Sequence, residues 1–398
     1  MSEFIQFHIL TSYPPANLNR DDLGRPKTAM FGGTQRLRVS SQSLKRAWRT
    51  SDVFASALKI GIRTKDIGNY VFNQLREKNA GKEVAVAEVV ADEIAKRVAA
   101  VFGKSKAKSD EAGTAPEAEK AVPKPGLGKS GGKPGGKAAA PTEGNQTTAD
   151  GRKTEQLAHI SLTEKAAIDD LVKRIRSKET VADDDYQALL SNGHGTPDIA
   201  LFGRMLAASP KHNVEAAAQV AHAISVHRVT VEDDYFTAVD DLNDGSEDVG
   251  AGHVGTSEFA AAVFYHYVCV NRTLLIESLD KQTALADETI KALLTACCTV
   301  APSGKQNSFG SHARASFLLA EKGSQQPRSL SVAFLRSVEG PDILGSAIGA
   351  LAETRAAMDE VYGKCADVVA TFNAHGVKGE GSLQAVLKRL GLEQANNA

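Results

Sequence analysis

The sequence predicts an α+β protein in which strands come from both ends of the chain and helices fill its centre. Residues 4–11 alternate apolar and polar side chains, with Ile5 and Ile9 on one face, as expected of a half-buried strand. Residues 263–270 are rich in β-branched and aromatic side chains, whereas much of the region 84–226 repeats apolar residues at helical spacing. Strands near both termini with helices between them indicate an α+β core with a long central insertion.

The first 60 residues predict a strand, a long loop and a second strand that leads into a helix. Residues 12–33 contain many prolines and glycines, which are typical of a surface loop. Residues 36–39 alternate charged and apolar side chains, as in a short strand. Ser40 and Ser41 precede apolar residues at helical spacing, so they are expected to cap a helix that runs to about residue 60.

The rest of the chain predicts helices separated by short strands, with one low-complexity interruption. Residues 103–155 contain only two large aliphatic residues, Val122 and Leu127, amid Lys, Gly, Pro, Ala and Thr. Such a segment cannot bury a core, so it is predicted to be a disordered insertion. Helices are expected at 84–102, 164–178, 182–190, 199–207, 214–226, 286–300 and 343–361, and strands at 263–270, 315–320 and 330–338.

Composition excludes several functional classes. The 398 residues include 47 basic and 48 acidic ones, so net charge provides no overall attraction to nucleic acid or to a membrane. The first residues lack the basic start and apolar core of a signal peptide, and no apolar run approaches the ~20 residues that a membrane span needs, so neither secretion nor membrane insertion is expected. Its four cysteines form no C-x-x-C pair, which is typical of a reduced, cytoplasmic protein. Neither an H-E-x-x-H motif nor a Cys/His cluster indicates a metal, and no cofactor is expected.

The strongest functional signal is a cluster of cations near the N-terminus. Residues 20–49 contain eight basic and two acidic residues, so their charge of +6 contrasts with −7 for the rest of the chain. Lys45 and Arg49 share one helical face, while the face of Leu44 and Trp48 can pack inward. The helix start also offers free N–H groups and a positive dipole end to phosphate oxygens. This combination favours a site that follows a nucleic-acid backbone over a merely solvated helix face.

Two further segments are weaker candidates for the same function. Residues 302–307 form a glycine turn whose Lys305 and Gln306 can donate hydrogen bonds to phosphate or ribose, although ordinary surface loops look similar. Tyr235 and Phe236 precede an acidic, glycine-containing stretch and are candidates for a hairpin whose rings stack on bases. The alternative for these two rings is a place in the core.

Three dense motifs lie near the N-terminus: Leu-Asn-Arg-Asp-Asp at 18–22, Phe-Gly-Gly at 31–33 and Arg-Val-Ser-Ser-Gln-Ser-Leu-Lys-Arg-Ala at 38–47. Further motifs follow at 198–205, 221–224, 234–242, 255–259 and 302–306. Together, and in family order, these motifs closely resemble the CasC family, the backbone subunits of the type I-E CRISPR Cascade complex. Residues 103–155 have no counterpart in the resemblance.

The resemblance implies a hand-like protein that stacks head to tail into a helical filament along a CRISPR RNA. Its palm, of RNA-recognition-motif-like (ferredoxin-like) fold, would comprise residues 1–50 and 195–398. A helical fingers insertion would span 51–194 and contain the low-complexity segment, and a β-hairpin thumb would span about 230–255. Implied partners are the CRISPR RNA, the target DNA strand paired to it, other copies of the chain and other Cascade subunits, with no membrane.

The resemblance also implies a division of labour in which the protein grips the guide and base pairing reads the target. Met205 would act as an apolar wedge beside a displaced base, and Arg204 before it would also contact the RNA. Tyr235 and Phe236 would be thumb contacts to the guide–target duplex or to the next subunit. The residues expected to contact guide phosphates or riboses are Arg20, Lys27, Arg38, Ser40, Ser41, Gln42, Lys45 and Arg49, with Lys305 and Gln306 in the same groove.

Two alternatives to this non-catalytic role come from other functional classes. Related backbone subunits of type III complexes cut RNA with a loop aspartate and a metal, so Asp21 or Asp22 could hold a cation near phosphate. Adjacent aspartates beside an arginine more often form ion pairs, and the resemblance assigns this motif to a subunit that does not cut. A generic single-strand RNA-binding protein without CRISPR partners is the other alternative.

Overall fold

The computed structural model describes residues 2–77, 85–103, 150–191, 195–238, 241, 253–376 and 378–393. Its strands are β1 (Phe4–Ala16), β2 (Thr28–Phe31), β3 (Thr34–Val39), β4 (Ile62–Thr64), β5 (Ala158–Ile160), β6 (Ala218–Val220), β7 (Ala223–Ser225), β8 (Glu232–Ala238), β9 (His253–Asn271), β10 (Ala315–Gly323) and β11 (Val368–Asn373). Its helices are α1 (Ser41–Arg49), α2 (Asp52–Ala57), α3 (Ile67–Arg76), α4 (Glu88–Phe102), α5 (Leu162–Arg176), α6 (Asp183–Gln187), α7 (Pro197–Phe202), α8 (Arg272–Ser278), α9 (Thr283–Thr299), α10 (Gln306–Phe309), α11 (Ile343–Tyr362) and α12 (Leu383–Leu390).

One antiparallel sheet organises the chain and confirms the predicted α+β class. Its order is β11-β10-β1-β9-β7-β3-β2, and β6 and β8 also pair with β9. The central strand β1 pairs on one side with β9, where Phe7 faces Val268, and on the other with β10, where Phe7 faces Ala320. Strands from both ends of the chain are therefore neighbours, as the sequence predicts.

Both faces of the sheet are covered, so β1 is more deeply buried than its alternating pattern predicts. Ile5, Phe7 and Ile9 point into the larger core, which α1, α2, α7, α8, α9 and α12 complete. The opposite face packs against α11 and a short 3-10 turn at Ser331–Phe334. His8 is on this second face, and its burial is compensated by a 2.9 Å hydrogen bond between Nδ1 and the Tyr265 hydroxyl group.

A helical lobe has a hydrophobic core of its own, formed by α3, α4, α5, α6 and β5. Residues 150–155 belong to this lobe, although the sequence placed them in the low-complexity segment. Arg152 donates to Asp92 at 2.6 Å and stacks on the Phe72 ring, and Thr154 is buried. The predicted insertion was therefore too long at this end, and residues 104–149 lie outside the described residues.

Several predicted boundaries were wrong because tertiary contacts outweigh local propensity. The predicted helix at 214–226 contains β6 and β7, whose small buried alanines pair beside β9. The predicted strand at 330–338 contains a 3-10 turn, since Leu330 and Phe334 are both buried at a helical spacing of four. The loop expected at 12–33 includes the end of β1 and all of β2.

Two helices are shorter than predicted, because capping residues end them early. The helix expected to reach residue 60 ends at Arg49, and Ser51 caps α2 by accepting a hydrogen bond from the Phe54 N–H. The helix expected at 199–207 ends at Phe202, where Gly203 adopts a φ of +77°. In the part of the chain that is described, no helix is long and apolar enough to cross a membrane.

Candidate nucleic-acid interface

The start of α1 is built as the sequence predicts. Ser40 caps the helix by accepting a hydrogen bond from the Ser43 N–H, and its own N–H donates to Asn19 Oδ1 at 2.9 Å. Leu44 and Trp48 are buried in the main core, so the opposite face of α1 points outward. Ser40 is itself largely buried, so its hydroxyl group serves mainly to cap the helix. Gln42, by contrast, is exposed.

A groove of about 760 Å³ lies between α1, the end of α7 and the β4–β5 ribbon of the helical lobe. It brings together five residues that the sequence selected, namely Gln42, Lys45, Arg49, Arg204 and Met205. It also adds three cations that were not selected: Arg46, Arg63 and Lys65. Apart from Arg204, whose side chain is buried, five basic residues therefore line one groove in which Glu155 is the acidic lining residue. Such a surface favours a polyanion.

Arg63 and Lys65 were missed because they are distant from α1 in sequence. The signal that could have found them is the alternation of residues 62–65, since successive side chains of a strand point to opposite faces. Ile62 and Thr64 line a separate cleft on the other side of the ribbon, together with Ile67. The ribbon therefore has a basic face towards the groove and a less polar face away from it.

Lys45 lies at the floor of the groove, with its Nζ atom 5.8 Å from the centroid of the Phe202 ring. Partial burial lowers the pKa of Lys45, because the charged ammonium group loses hydration. A phosphate oxygen placed there would replace that lost hydration with an opposite charge. An anionic ligand at Lys45 would therefore offset the cost of its partial burial.

Arg49 is already engaged within the protein. Its Nη1 atom lies 3.3 Å from Oδ2 of Asp198, a buried carboxylate that also accepts from His159 Nε2 at 2.8 Å and from the Gly61 N–H at 2.9 Å. Burial alone would raise the pKa of Asp198, but His159, the Gly61 N–H and Arg49 outweigh it and hold that pKa below its usual value. Asp198 therefore neutralises part of the charge that Arg49 brings to the groove.

The expectation that Arg204 contacts RNA is not supported by its position, because its side chain is fully buried. Both oxygens of Glu164 lie 2.8 Å from Arg204 Nη1, and Nη2 donates to the carbonyl oxygens of Ser191 and His212. Glu164 in turn closes the capping box of α5 with Ser161. Arg204 therefore holds the helical lobe together, while the neighbouring Met205 is 67% exposed at the rim of the groove.

A second basic group lies beside the start of α1. Lys27 and Arg38 are joined through the backbone, since the Arg38 N–H donates to the Lys27 carbonyl oxygen at 2.8 Å. The Lys27 N–H donates to the Asn19 carbonyl oxygen, and Asn19 also contacts the cap residue of α1. Arg20 is exposed on the same segment. These contacts keep Arg20, Lys27 and Arg38 next to the helix terminus.

The loop that carries Lys305 and Gln306 packs against this segment. Gly304 is in such close contact that a Cβ atom there would lie 2.2 Å from the Leu18 carbonyl oxygen. Lys305 adopts a left-handed φ of +46° at the start of α10. Gln306 Oε1 accepts from the Ser311 hydroxyl group, and its buried Nε2 has no hydrogen-bond partner within the described residues. The loop of Lys305 and Gln306 thus packs against Leu18, and neither residue lines the groove of Lys45.

The aspartates of the nuclease alternative have other contacts. Asp21 Oδ1 accepts from the N–H groups of Leu23 and Arg25 at 3.0 and 2.8 Å, which closes a local turn. Asp22 is exposed. In the ranges that the structure describes, no group of three or more His, Cys, Asp or Glu residues is arranged to hold a metal ion.

The predicted hairpin is present as β8 paired with the first part of β9. All residues of β8 are exposed, and Tyr235 and Phe236 are 66% and 43% exposed, so the core alternative for these rings was wrong. Phe236 covers Gly255 on the paired strand, where a Cβ atom would lie 2.4 Å from the ring. Arg25 binds Glu258 at 2.6 Å near the hairpin base. Residues 239, 240 and 242–252 lie outside the described residues.

These features define an α+β protein with a cationic groove between its sheet and a helical lobe. The chain belongs to the CT1975-like protein family, whose profile matches residues 5–392. The family match confirms the resemblance to the CasC backbone subunits and extends it over nearly the whole chain. No curated protein matches the chain.

Two solved structures are similar in fold. One chain, from a structure described as "CRISPR RNA-guided surveillance complex, pre-nicking", shares 28% identity with a TM-score of 0.72 and covers 97% of this chain and 100% of that chain. Another, described as "CRISPR RNA-guided surveillance complex", shares 22% identity with a TM-score of 0.52 and covers 96% of this chain and 92% of that chain. The second similarity concerns the fold alone.

Proposed function

We propose that the protein is a non-catalytic, CRISPR RNA-binding backbone subunit of a type I-E Cascade complex. The observation that carries this proposal is the groove, where cations from α1 and from the β4–β5 ribbon face each other across a space open to solvent. In this proposal the central sheet is the RNA-recognition-motif-like palm, the helical lobe is the fingers, and the β8–β9 hairpin is the thumb.

The groove would bind the guide through its backbone. Lys45, Arg46, Arg63 and Lys65 can contact successive phosphates, while Ser41 and Gln42 at the exposed start of α1 can donate hydrogen bonds to phosphate or ribose oxygens. Contacts of this kind carry no sequence information, which suits a protein whose guides differ in sequence. Met205 at the rim would separate neighbouring bases.

The second basic group would extend the path of the guide beyond the groove. Arg20, Lys27 and Arg38 lie beside the start of α1, and the loop of Lys305 and Gln306 packs against the same segment. A chain of phosphates leaving the groove at this end would therefore meet further donors.

The hairpin would serve assembly. Its exposed Tyr235 and Phe236 offer apolar surface to a neighbouring copy or to the guide–target duplex. A head-to-tail contact between copies repeats along the guide and produces a helical filament. Target DNA and the other Cascade subunits would then bind to the filament rather than to a free subunit, and this assembly would act in the cytoplasm.

The proposal is tested by the salt dependence of guide binding. Replacing Lys45 and Arg63 by alanine should weaken binding to a repeat-flanked guide RNA and reduce the slope of log affinity against log salt by about 1.4, or about 0.7 per phosphate contact. The double variant Lys388→Ala, Arg389→Ala removes the same charge from exposed positions of α12 and should leave the slope unchanged. Equal slopes for both variants would refute the groove as the RNA site.

A further inference from the structure

His222 lies in the short connection between β6 and β7, beside the second basic group. Its imidazole ring is exposed, and Nδ1 is 3.1 Å from Nη1 of Arg38 on the neighbouring strand β3. The pairing of β3 with β7, in which Val39 faces Ala223, fixes this approach. The ring therefore has a defined position among residues that the proposed function assigns to the guide.

The contact with Arg38 defines the protonation state of the ring. A guanidinium group is always charged and has no acceptor, so Arg38 must donate and Nδ1 must present its lone pair. The ring is then neutral, with its proton on Nε2, which leaves an N–H donor for another group. Protonation at Nδ1 would break the bond to Arg38 and add a third positive charge next to Arg38 and Lys27.

The charged groups that face the ring are Arg38 from β3 and Lys27 from the segment before β2. Desolvation and the repulsion of these two cations lower the pKa of His222. A phosphate bound between the cations would reverse that repulsion, because its negative charge favours the imidazolium form.

We propose that His222 is a further RNA-backbone contact, which donates its Nε2–H to a phosphate held by Lys27 and Arg38 and takes up a proton from solvent as that phosphate binds. The inference rests on the proposed function and deepens it. Proton uptake releases the Arg38 guanidinium from Nδ1, so Arg38 and both ring N–H groups become available to the nucleic acid. Guide binding should therefore strengthen as the pH falls.

The experiment compares the wild type with two variants that cannot titrate. His222→Gln retains a donor near the position of Nε2, and His222→Asn retains an acceptor for Arg38 near the position of Nδ1. Isothermal titration calorimetry with a single-stranded RNA of mixed sequence, repeated in buffers of different ionisation enthalpy, counts the protons taken up on binding. His375→Gln is the control, since His375 is paired with Asp342, the residue that caps α11.

As the pH falls from about 7.5 to about 5.5, the affinity of the wild type for RNA should rise about three- to tenfold. This rise is within the limit of about tenfold per pH unit that a single titrating group sets. Both His222 variants should lose that proton uptake, while His375→Gln should keep it. The inference is overturned if either His222 variant takes up as many protons as the wild type. A wild type that binds no RNA at any pH would overturn the proposed function itself, and this inference with it.

Discussion

The two segments that border the groove, 38–49 and 198–205, use their charged side chains differently. In α1 the residues Lys45 and Arg46 present cations to the open groove. In the other segment Arg204 is buried against Glu164, and Asp198 is buried among three donors. The first segment supplies charge to a ligand, whereas the second stabilises the junction between the sheet and the helical lobe. An arginine in a motif therefore indicates a binding role only where its side chain remains accessible.

The largest effect on stability is expected when Arg204 is replaced. Its replacement by alanine leaves the Glu164 carboxylate buried without its partner, which should lower the free energy of unfolding by about 3–5 kcal/mol. Arg46→Ala on the other side of the groove is the matched control and should change it by less than about 0.5 kcal/mol. Urea unfolding followed by circular dichroism measures both. Similar stabilities for the two variants would remove the distinction between the segments.

Replacing Asp198 should produce the next largest loss of stability, and the size of this loss should depend on pH. Because the folded pKa of Asp198 is below its usual value, its stabilising contribution is fully present above about pH 4 and is lost as the pH falls through the folded pKa. Asp198→Asn should therefore lower the free energy of unfolding by about 1–3 kcal/mol at neutral pH. The difference from the wild type should shrink on acidification, as followed by thermal unfolding across pH. A difference that stays constant down to the lowest pH would contradict this assignment.

Lys45 and Arg49 test the same comparison within α1. The two are one turn apart, but Arg49 is paired with Asp198 and Lys45 has no carboxylate partner in the described part of the chain. Lys45→Ala should reduce the salt slope of RNA binding by about 0.7, and Arg49→Ala should reduce it by less. Filter binding of a guide RNA at several salt concentrations measures both slopes. A larger reduction for Arg49→Ala would show that Asp198 releases this arginine when RNA binds.

The smallest effect on stability is expected at Met205. Its side chain is exposed next to the buried Arg204, so Met205→Ala should change the free energy of unfolding by less than about 0.5 kcal/mol. In the proposed function it should nevertheless alter the exposure of guide bases, because the wedge between them is lost. Chemical probing of the bound guide checks this outcome, and an unchanged modification pattern would argue against the wedge.

The sequence was a good guide where local pattern and tertiary environment agree. The helix α1 has its serine cap, its buried Leu44 and Trp48 and its exposed cations where periodicity predicts them. The helix expected at 214–226 was wrong, because alanines are helix formers and the neighbouring strands β9 and β3 make this segment pair as β6 and β7. Arg63 and Lys65 were missed for a different reason, since they are distant from α1 in sequence and only the fold brings β4 to the groove.

By itself the sequence determined the α+β class, the central strands, the basic helix and the family resemblance, all of which depend on residues close together in the chain. Tertiary structure decided which charges remain free. Arg204 pairs with Glu164 and Arg49 pairs with Asp198, which are 40 and 149 residues away in sequence. An ion pair between distant segments leaves no periodic signal, because it depends on how the backbone brings two points of the chain together. Whether a cation binds RNA or a buried carboxylate is therefore settled only by the folded chain.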